Sequence, residues 1–158
     1  MKQKSLEINQ GFFKAIHTNK PYIRAKIAMS KDGKTSFKNK KNKWITSLAS
    51  RNDAQHYRAI SDLIITGGGT LVNDNPSLNV RNKRIIKYKG FSQPDKAVIT
   101  NASLDFKTFK FFQDQSKKLI FTSKKSNVSS LKLSNTEIKT IQTNGSNTDL
   151  NDLVSCLT

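Results

Sequence analysis

Three groups of residues in this sequence are of types that do chemistry. The first is Lys26, within Tyr22-Ile23-Arg24-Ala25-Lys26-Ile27-Ala28-Met29. Alternation puts Ile23, Ala25, Ile27 and Met29 on one face of a strand and Arg24, Lys26 and Ala28 on the other. An ammonium on a central strand needs a partner or a ligand, because burying it unpaired is costly. On an edge strand it would simply reach water. The second group is Gly67-Gly68-Gly69, directly after the apolar run 62–66. Glycines there let backbone N–H groups approach a phosphate or a planar ring, at the strand ends where α/β sheets bind ligands. The triplet does not fit G-x-G-x-x-G, so a flexible turn accounts for it equally well. The third group is Thr70, Asp74 and Arg81 around the same loop, with Arg58 from the segment before it. Arginine is scarce among the 28 basic residues, and its planar fork suits a phosphate. For any single arginine a surface salt bridge is the plainer alternative.

The elements that must position these groups alternate between strand and helix. Residues 1–20 are polar around Gly11-Phe12-Phe13 and read as a linker into a domain over 21–158. A strand is predicted at Tyr22–Met29, followed by a turn at Ser30-Lys31-Asp32-Gly33. Thr46 or Ser47 can cap a helix running to about Ile60, with Arg51, Gln55 and Arg58 on one side of it. The run 62–66 is a buried strand, a brief helical turn covers 71–73, and Pro76 breaks that turn. Residues 82–95 form a polar loop. Further strands are predicted at 96–100, 119–122 and 137–142, a short helix at 109–115 and a terminal helix from Thr148. This order argues for an α/β fold with substantial parallel pairing.

Bulk composition excludes some function classes and leaves others open. No run approaches the ~18–20 apolar residues that span a bilayer, and the first twenty residues lack a signal-peptide core. One cysteine, Cys156, and two histidines, His17 and His56, neither form an internal disulfide nor close a structural zinc site, so no metal is expected. A cytoplasmic protein is the default. The net charge of +17 comes from lysines spread along the chain, the densest run being Lys38–Lys43. A solvated Lys-rich surface explains this better than a nucleic-acid footprint, and aromatic residues are not interleaved with the basic ones as in single-strand binders.

The motifs, read in order, carry a resemblance. They are Ala25-Lys26-Ile27-Ala28-Met29-Ser30-Lys31-Asp32-Gly33, Lys43-Trp44-Ile45-Thr46-Ser47, Ala49-Ser50-Arg51, Arg58, Thr66-Gly67-Gly68-Gly69-Thr70, and the run Asn73-Asp74-Asn75-Pro76-Ser77-Leu78-Asn79-Val80-Arg81. Together they resemble the C-terminal reductase domain of the bifunctional riboflavin-biosynthesis deaminase/reductase. The resemblance is strong through Arg81, fair to about Thr100 and a matter of pattern beyond. It implies a dihydrofolate-reductase-like three-layer α/β fold around a mostly parallel sheet. It also implies NADPH-dependent reduction of 5-amino-6-(5-phosphoribosylamino)uracil to the ribitylamino product, with hydride delivered to the sugar C1′.

Carried over by position, the cofactor contacts fall on Ala28, Trp44, Thr70 and Asp74, with Gly67, Gly68 and Gly69 allowing close approach. Substrate contacts fall on Asn42, Arg58, Leu78 and Arg81, the two arginines on the 5′-phosphate. Lys26 matches a strand lysine that donates or relays a proton near the sugar. Asn42 stands where the family has Ser, and Asn101 where it has Asp-Ser. A Glu-Gly-Gly loop of the family is expected past Thr158, so the resemblance implies a domain incomplete at its C-terminus and impaired turnover. The deaminase signature, His-x-Glu with Pro-Cys-x-x-Cys, does not occur in these 158 residues. The expected partner is the small-molecule phosphoribosylamino-pyrimidine, with no membrane, and a homodimer is left open. Two alternatives stand beside this reading: a non-catalytic basic module binding nucleic acid or another polyanion, and a reductase of the same fold acting on a different pyrimidine or pteridine.

Overall fold

The structure is a computed structural model and describes residues 2–36, 44–123, 134–145 and 147–157. The chain divides into two compact units, residues 1–27 with 141–158, and residues 28–140.

The second unit is built on a four-stranded parallel sheet of order β1-β2-β3-β4, comprising β1 (Leu63–Gly67), β2 (Asp95–Ile99), β3 (Lys118–Thr122) and β4 (Thr136–Thr140). Parallel neighbours need crossovers, so the carboxyl ends of all four strands share one edge. In register, Leu63 lies opposite Asp95 and Gly67 opposite Ile99. The central strands β2 and β3 are covered on both faces, and for that reason their apolar residues run continuously instead of alternating. One face carries the core: Val98 and Ile120 pack with Leu71, Phe106 and Phe111, and Leu78 and Phe112 close around them. Burying each such side chain stabilises the fold by roughly 1.5–3 kcal/mol.

Helix α3 (Leu48–Ala59) precedes β1. Of the two cap candidates Ser47 fills the position, its Oγ accepting the Ser50 N–H at 3.2 Å. Helix α4 (Gly68–Asp74) starts earlier than the predicted turn, within the glycines, and ends at Asn75, which turns left-handed (φ 42°) ahead of Pro76. The predicted loop 82–95 contains the short helix α5 (Lys83–Ile86), capped by the Asn82 side chain. Where one helix was predicted at 109–115, two 3₁₀ turns form at Phe106–Thr108 and Lys110–Phe112. The extended Phe109 between them lets closely spaced phenylalanines face one core, which the rotation of a single α-helix would not permit.

The first unit holds α1 (Lys2–Ile8) and α2 (Gln10–Thr18), where a linker is predicted. It also holds the two-residue antiparallel strands β5 (Thr143–Asn144) and β6 (Asn147–Thr148) and the closing helix α6 (Leu150–Ser155). Asp149, not Thr148, caps α6, accepting from Asn151 and Asp152 N–H. The strand predicted at Tyr22–Met29 does not form. Residues 21–30 lack regular structure, and Ile23, Ile27 and Met29 are 66%, 71% and 59% exposed. Alternation sets the faces of a strand, but only a paired neighbour satisfies its backbone groups, and no ladder includes this run.

Candidate active site

The predicted site residues that come together do so around residues 78–81. Leu78 adopts the left-handed conformation (φ 54°) and packs its half-buried side chain against the core. The three residues after it are then held by side chains from separate elements. Arg58 Nη1, from α3, donates to the Asn79 carbonyl at 3.1 Å. The Val80 N–H donates to Gln93 Oε1 at 2.8 Å, and Gln93 Nε2 donates back to the Val80 carbonyl at 2.9 Å. The Arg81 N–H donates to Gln55 Oε1 at 2.6 Å. Lys96 Nζ, from β2, donates to Asn79 Oδ1 and to Asp114 Oδ2. Gln55 and Arg58 share a side of α3, as their spacing required.

Electrostatically this is a crowded cationic cluster. Burial, and then the neighbouring charge of Arg81, hold the Arg58 guanidinium below its ordinary pKa. Lys96 is fully buried, and that burial lowers it despite the Asp114 carboxylate beside it. Burial pushes Asp114 up, but hydrogen bonds from Lys96, Ser116 and Lys118 outweigh it and leave the carboxyl well below the usual carboxylate range. Lys118 pairs with the same carboxylate at 3.0 Å. Among the described residues, no carboxylate pairs with Arg58 or Arg81. Two neighbouring guanidiniums without a counter-charge favour an anion between them, and the fork geometry suits a phosphate.

The glycine run sits at the carboxyl edge of the sheet, and its members differ. A Cβ on Gly68 would lie 2.6 Å from Thr100 Oγ1 and 2.8 Å from Thr100 Cβ, so this residue is glycine for packing. Gly67 and Gly69 have nothing within 4 Å of such a Cβ. Thr70 and Asp74 of α4 are exposed. Trp44 is 59% exposed, and Arg51 lies over its ring at 4.6 Å while donating to the Thr46 carbonyl at 2.7 Å. Ala28 is half-buried just before the Ser30 turn. Open backbone at Gly67 and Gly69 leaves room for a ligand to approach the carboxyl edge of the sheet.

Lys26 belongs to the first unit and is exposed in the unpaired run, so the strand face proposed for it is not realised. Asn42 lies outside the described residues. Asn101 Oδ1 accepts from Thr122 Oγ1 at 3.1 Å and from the Ser123 N–H at 2.8 Å, tying the ends of β2 and β3 together. A concavity lined by Ala59, Asp62, Gln93 and Asp95 opens at the amino ends of β1 and β2, and its two carboxylates disfavour an anion. Among the described residues, no acidic, His or Cys cluster could hold a metal ion, and no helix is long and apolar enough to cross a membrane.

Sequence reasoning missed Lys96, Asp114 and Gln93 as part of this cluster. A signal existed for Lys96, since a lysine opening a continuously apolar strand is anomalous. None existed for Asp114, which sits in an irregular stretch between 3₁₀ turns and a strand.

Comparison with known proteins fits this geometry. A family model described as the RibD C-terminal domain matches residues 21–158. The riboflavin biosynthesis protein RibD of Buchnera aphidicola subsp. Baizongia pistaciae is 48% identical over 82 residues, 52% of this chain and 22% of that protein. The 5-amino-6-(5-phosphoribosylamino)uracil reductase of Buchnera aphidicola subsp. Acyrthosiphon pisum is 46% identical over 69 residues, 39% of this chain and 33% of that protein. Among solved structures, Acinetobacter baumannii RibD superposes with a TM-score of 0.79 at 32% identity, covering 97% of this chain and 40% of that one. The chain thus spans less than half the length of each of these proteins.

Proposed function

Because the chain belongs to the RibD C-terminal domain family, we propose that residues 21–158 form a reductase module that reduces 5-amino-6-(5-phosphoribosylamino)uracil with NADPH in riboflavin biosynthesis. The observation that carries this reading is the Arg58–Arg81 pair, two neighbouring guanidiniums with no carboxylate on either among the described residues. A ribose 5′-phosphate supplies the missing charge.

The sheet register supports an elongated ligand. Lys96, which anchors the arginine cluster, lies opposite Ile64, whereas Gly67 lies opposite Ile99. Three strand residues separate the two levels, roughly 10 Å. That span suits a ligand whose phosphate lies at the arginines and whose reacting carbon faces the glycine edge.

Gly67 and Gly69 would admit NADPH, Trp44 would stack on it, and Ala28, Thr70 and Asp74 would line it. Bound there, the cofactor supplies the hydride for C1′. The protein's own work is orientation: the arginines fix the phosphate, and Leu78 sets the wall beside it. The same reading places the protein in the cytoplasm, and sedimentation tests for a homodimer.

The test is calorimetry of the full chain with the phosphorylated substrate and with its dephosphorylated nucleoside. Binding that requires the phosphate, and that Arg58→Ala or Arg81→Ala abolishes, supports the reading. Equal binding of the two ligands overturns it.

A further inference from the structure

Lys96 and Lys118 share the Asp114 carboxylate from buried positions, unlike the exposed Lys117–Glu137 pair. Lys96 is fully buried on the core face of β2, in the same row as Val98, with its ammonium 5.8 Å from the centre of the Phe111 ring. A charge in that position is costly unless each of its donors has a purpose. Two of its hydrogen bonds have visible destinations, the Asp114 carboxylate and the side-chain oxygen of Asn79. Asp114 is itself fixed, because its other oxygen takes the Ser116 hydroxyl at 2.7 Å and Lys118 at 3.0 Å. The chain of contacts therefore runs from a rigid strand pair, through Lys96, to Asn79.

Asn79 is the junction. Its side chain accepts from Lys96 and its backbone carbonyl accepts from Arg58. Rotation of the Asn79 peptide would move both acceptors together, and with them the start of the 79–81 run that carries Arg81. We propose that Lys96, braced by Asp114, is a positioning residue that sets the spacing of Arg58 and Arg81 through Asn79, and so tunes their grip on a phosphate ester. The statement that the ligand is a phosphate ester rests on the function proposed above; the mechanical coupling does not. Lys118 complements the device by holding Asp114 when Lys96 is replaced, so a neutral residue at position 96 leaves no uncompensated carboxylate.

The experiment uses the full chain with Lys96→Met, Lys96→Arg and, as a packing control, Phe121→Leu. Phe121 is fully buried in β3, on the face away from Lys96. Two quantities are read in each: hydrogen-exchange protection of the Val80 and Arg81 amides, and affinity for ribose 5-phosphate. Lys96→Met is expected to lose protection at both amides and to bind about tenfold more weakly, an effect the size of one good hydrogen bond. Lys96→Arg should restore both, and Phe121→Leu should lower global stability while leaving both near wild type. Unchanged protection and affinity within about twofold in folded Lys96→Met would overturn the proposal. So would equal losses in Phe121→Leu, since they would mean general loosening. If the wild-type chain does not bind ribose 5-phosphate, the proposed function fails, and the exchange data still decide whether Lys96 positions the loop.

Discussion

Gln93 holds Val80 by both of that residue's backbone groups, accepting from its N–H at 2.8 Å and donating to its carbonyl at 2.9 Å. One side-chain amide thereby imitates a neighbouring strand for a residue that has none. Gln93→Ala would leave a buried donor and acceptor without partners. The expected cost is about 2 kcal/mol in urea unfolding, since each unsatisfied group is worth roughly 1–3 kcal/mol. A loss below about 0.5 kcal/mol would mean that water replaces the amide without penalty.

The three consecutive glycines should separate by experiment. Gly68→Ala drives a methyl into Thr100 and should destabilise by about 2 kcal/mol, as overpacking does. Gly69→Ala meets open space inside α4 and should be neutral or stabilising by up to about 1 kcal/mol. Gly67→Ala and Gly69→Ala should instead weaken NADPH binding in a titration. If all three behave alike, the division into one packing glycine and two approach glycines is wrong.

Asp114 gives the protein an acid-sensitive stability. Its folded pKa is depressed, so its contribution is present above the unfolded value and is lost as pH falls toward the folded one. Melting temperature should therefore drop progressively below about pH 4, near the ordinary carboxylate value. Asp114→Asn should flatten that limb and lower the neutral plateau by about 3 kcal/mol, because Lys96 stays buried without its carboxylate. Glu137 is also held low by Lys117 but is fully exposed, and the difference between wild type and variant isolates Asp114. Parallel acid limbs in scanning calorimetry would refute this.

Trp44 is the chain's single tryptophan, which makes its emission a local probe. NADPH binding should quench it. Arg51→Ala removes the cation above the ring and should shift the emission and weaken NADPH binding about twofold to fivefold, matching an exposed cation–π contact of roughly 0.5–1 kcal/mol. Identical spectra and affinities would show that Arg51 does not hold the indole.

What could be read in advance followed from local chemistry. The strands predicted at 62–66, 96–100 and 119–122 form within one residue of those bounds, and Ser47, one of two cap candidates, fills the cap, because those signals act over a few residues. The glycine edge was visible, although only the contact with Thr100 separates Gly68 from its neighbours. Tyr22–Met29 had the right alternation and still formed no strand, since pairing is a property of neighbours and not of the run itself. The bracing of Arg58 and Arg81 was hidden for the same reason. Asn79, the pair Gln93 and Lys96, and Asp114 are far apart in sequence and acquire meaning only when β2 is laid beside the loop.

The exposed run from Tyr22 to Met29 also sets how the protein should age in solution. Exposed, outside any sheet and carrying Arg24 and Lys26, it is open to a trypsin-like protease, whereas the buried central strands are not. A first cut after Lys26 would leave β1 to β4 intact. Clipped chain should then accumulate well before circular dichroism reports any unfolding, so that a preparation can look folded and already be cut.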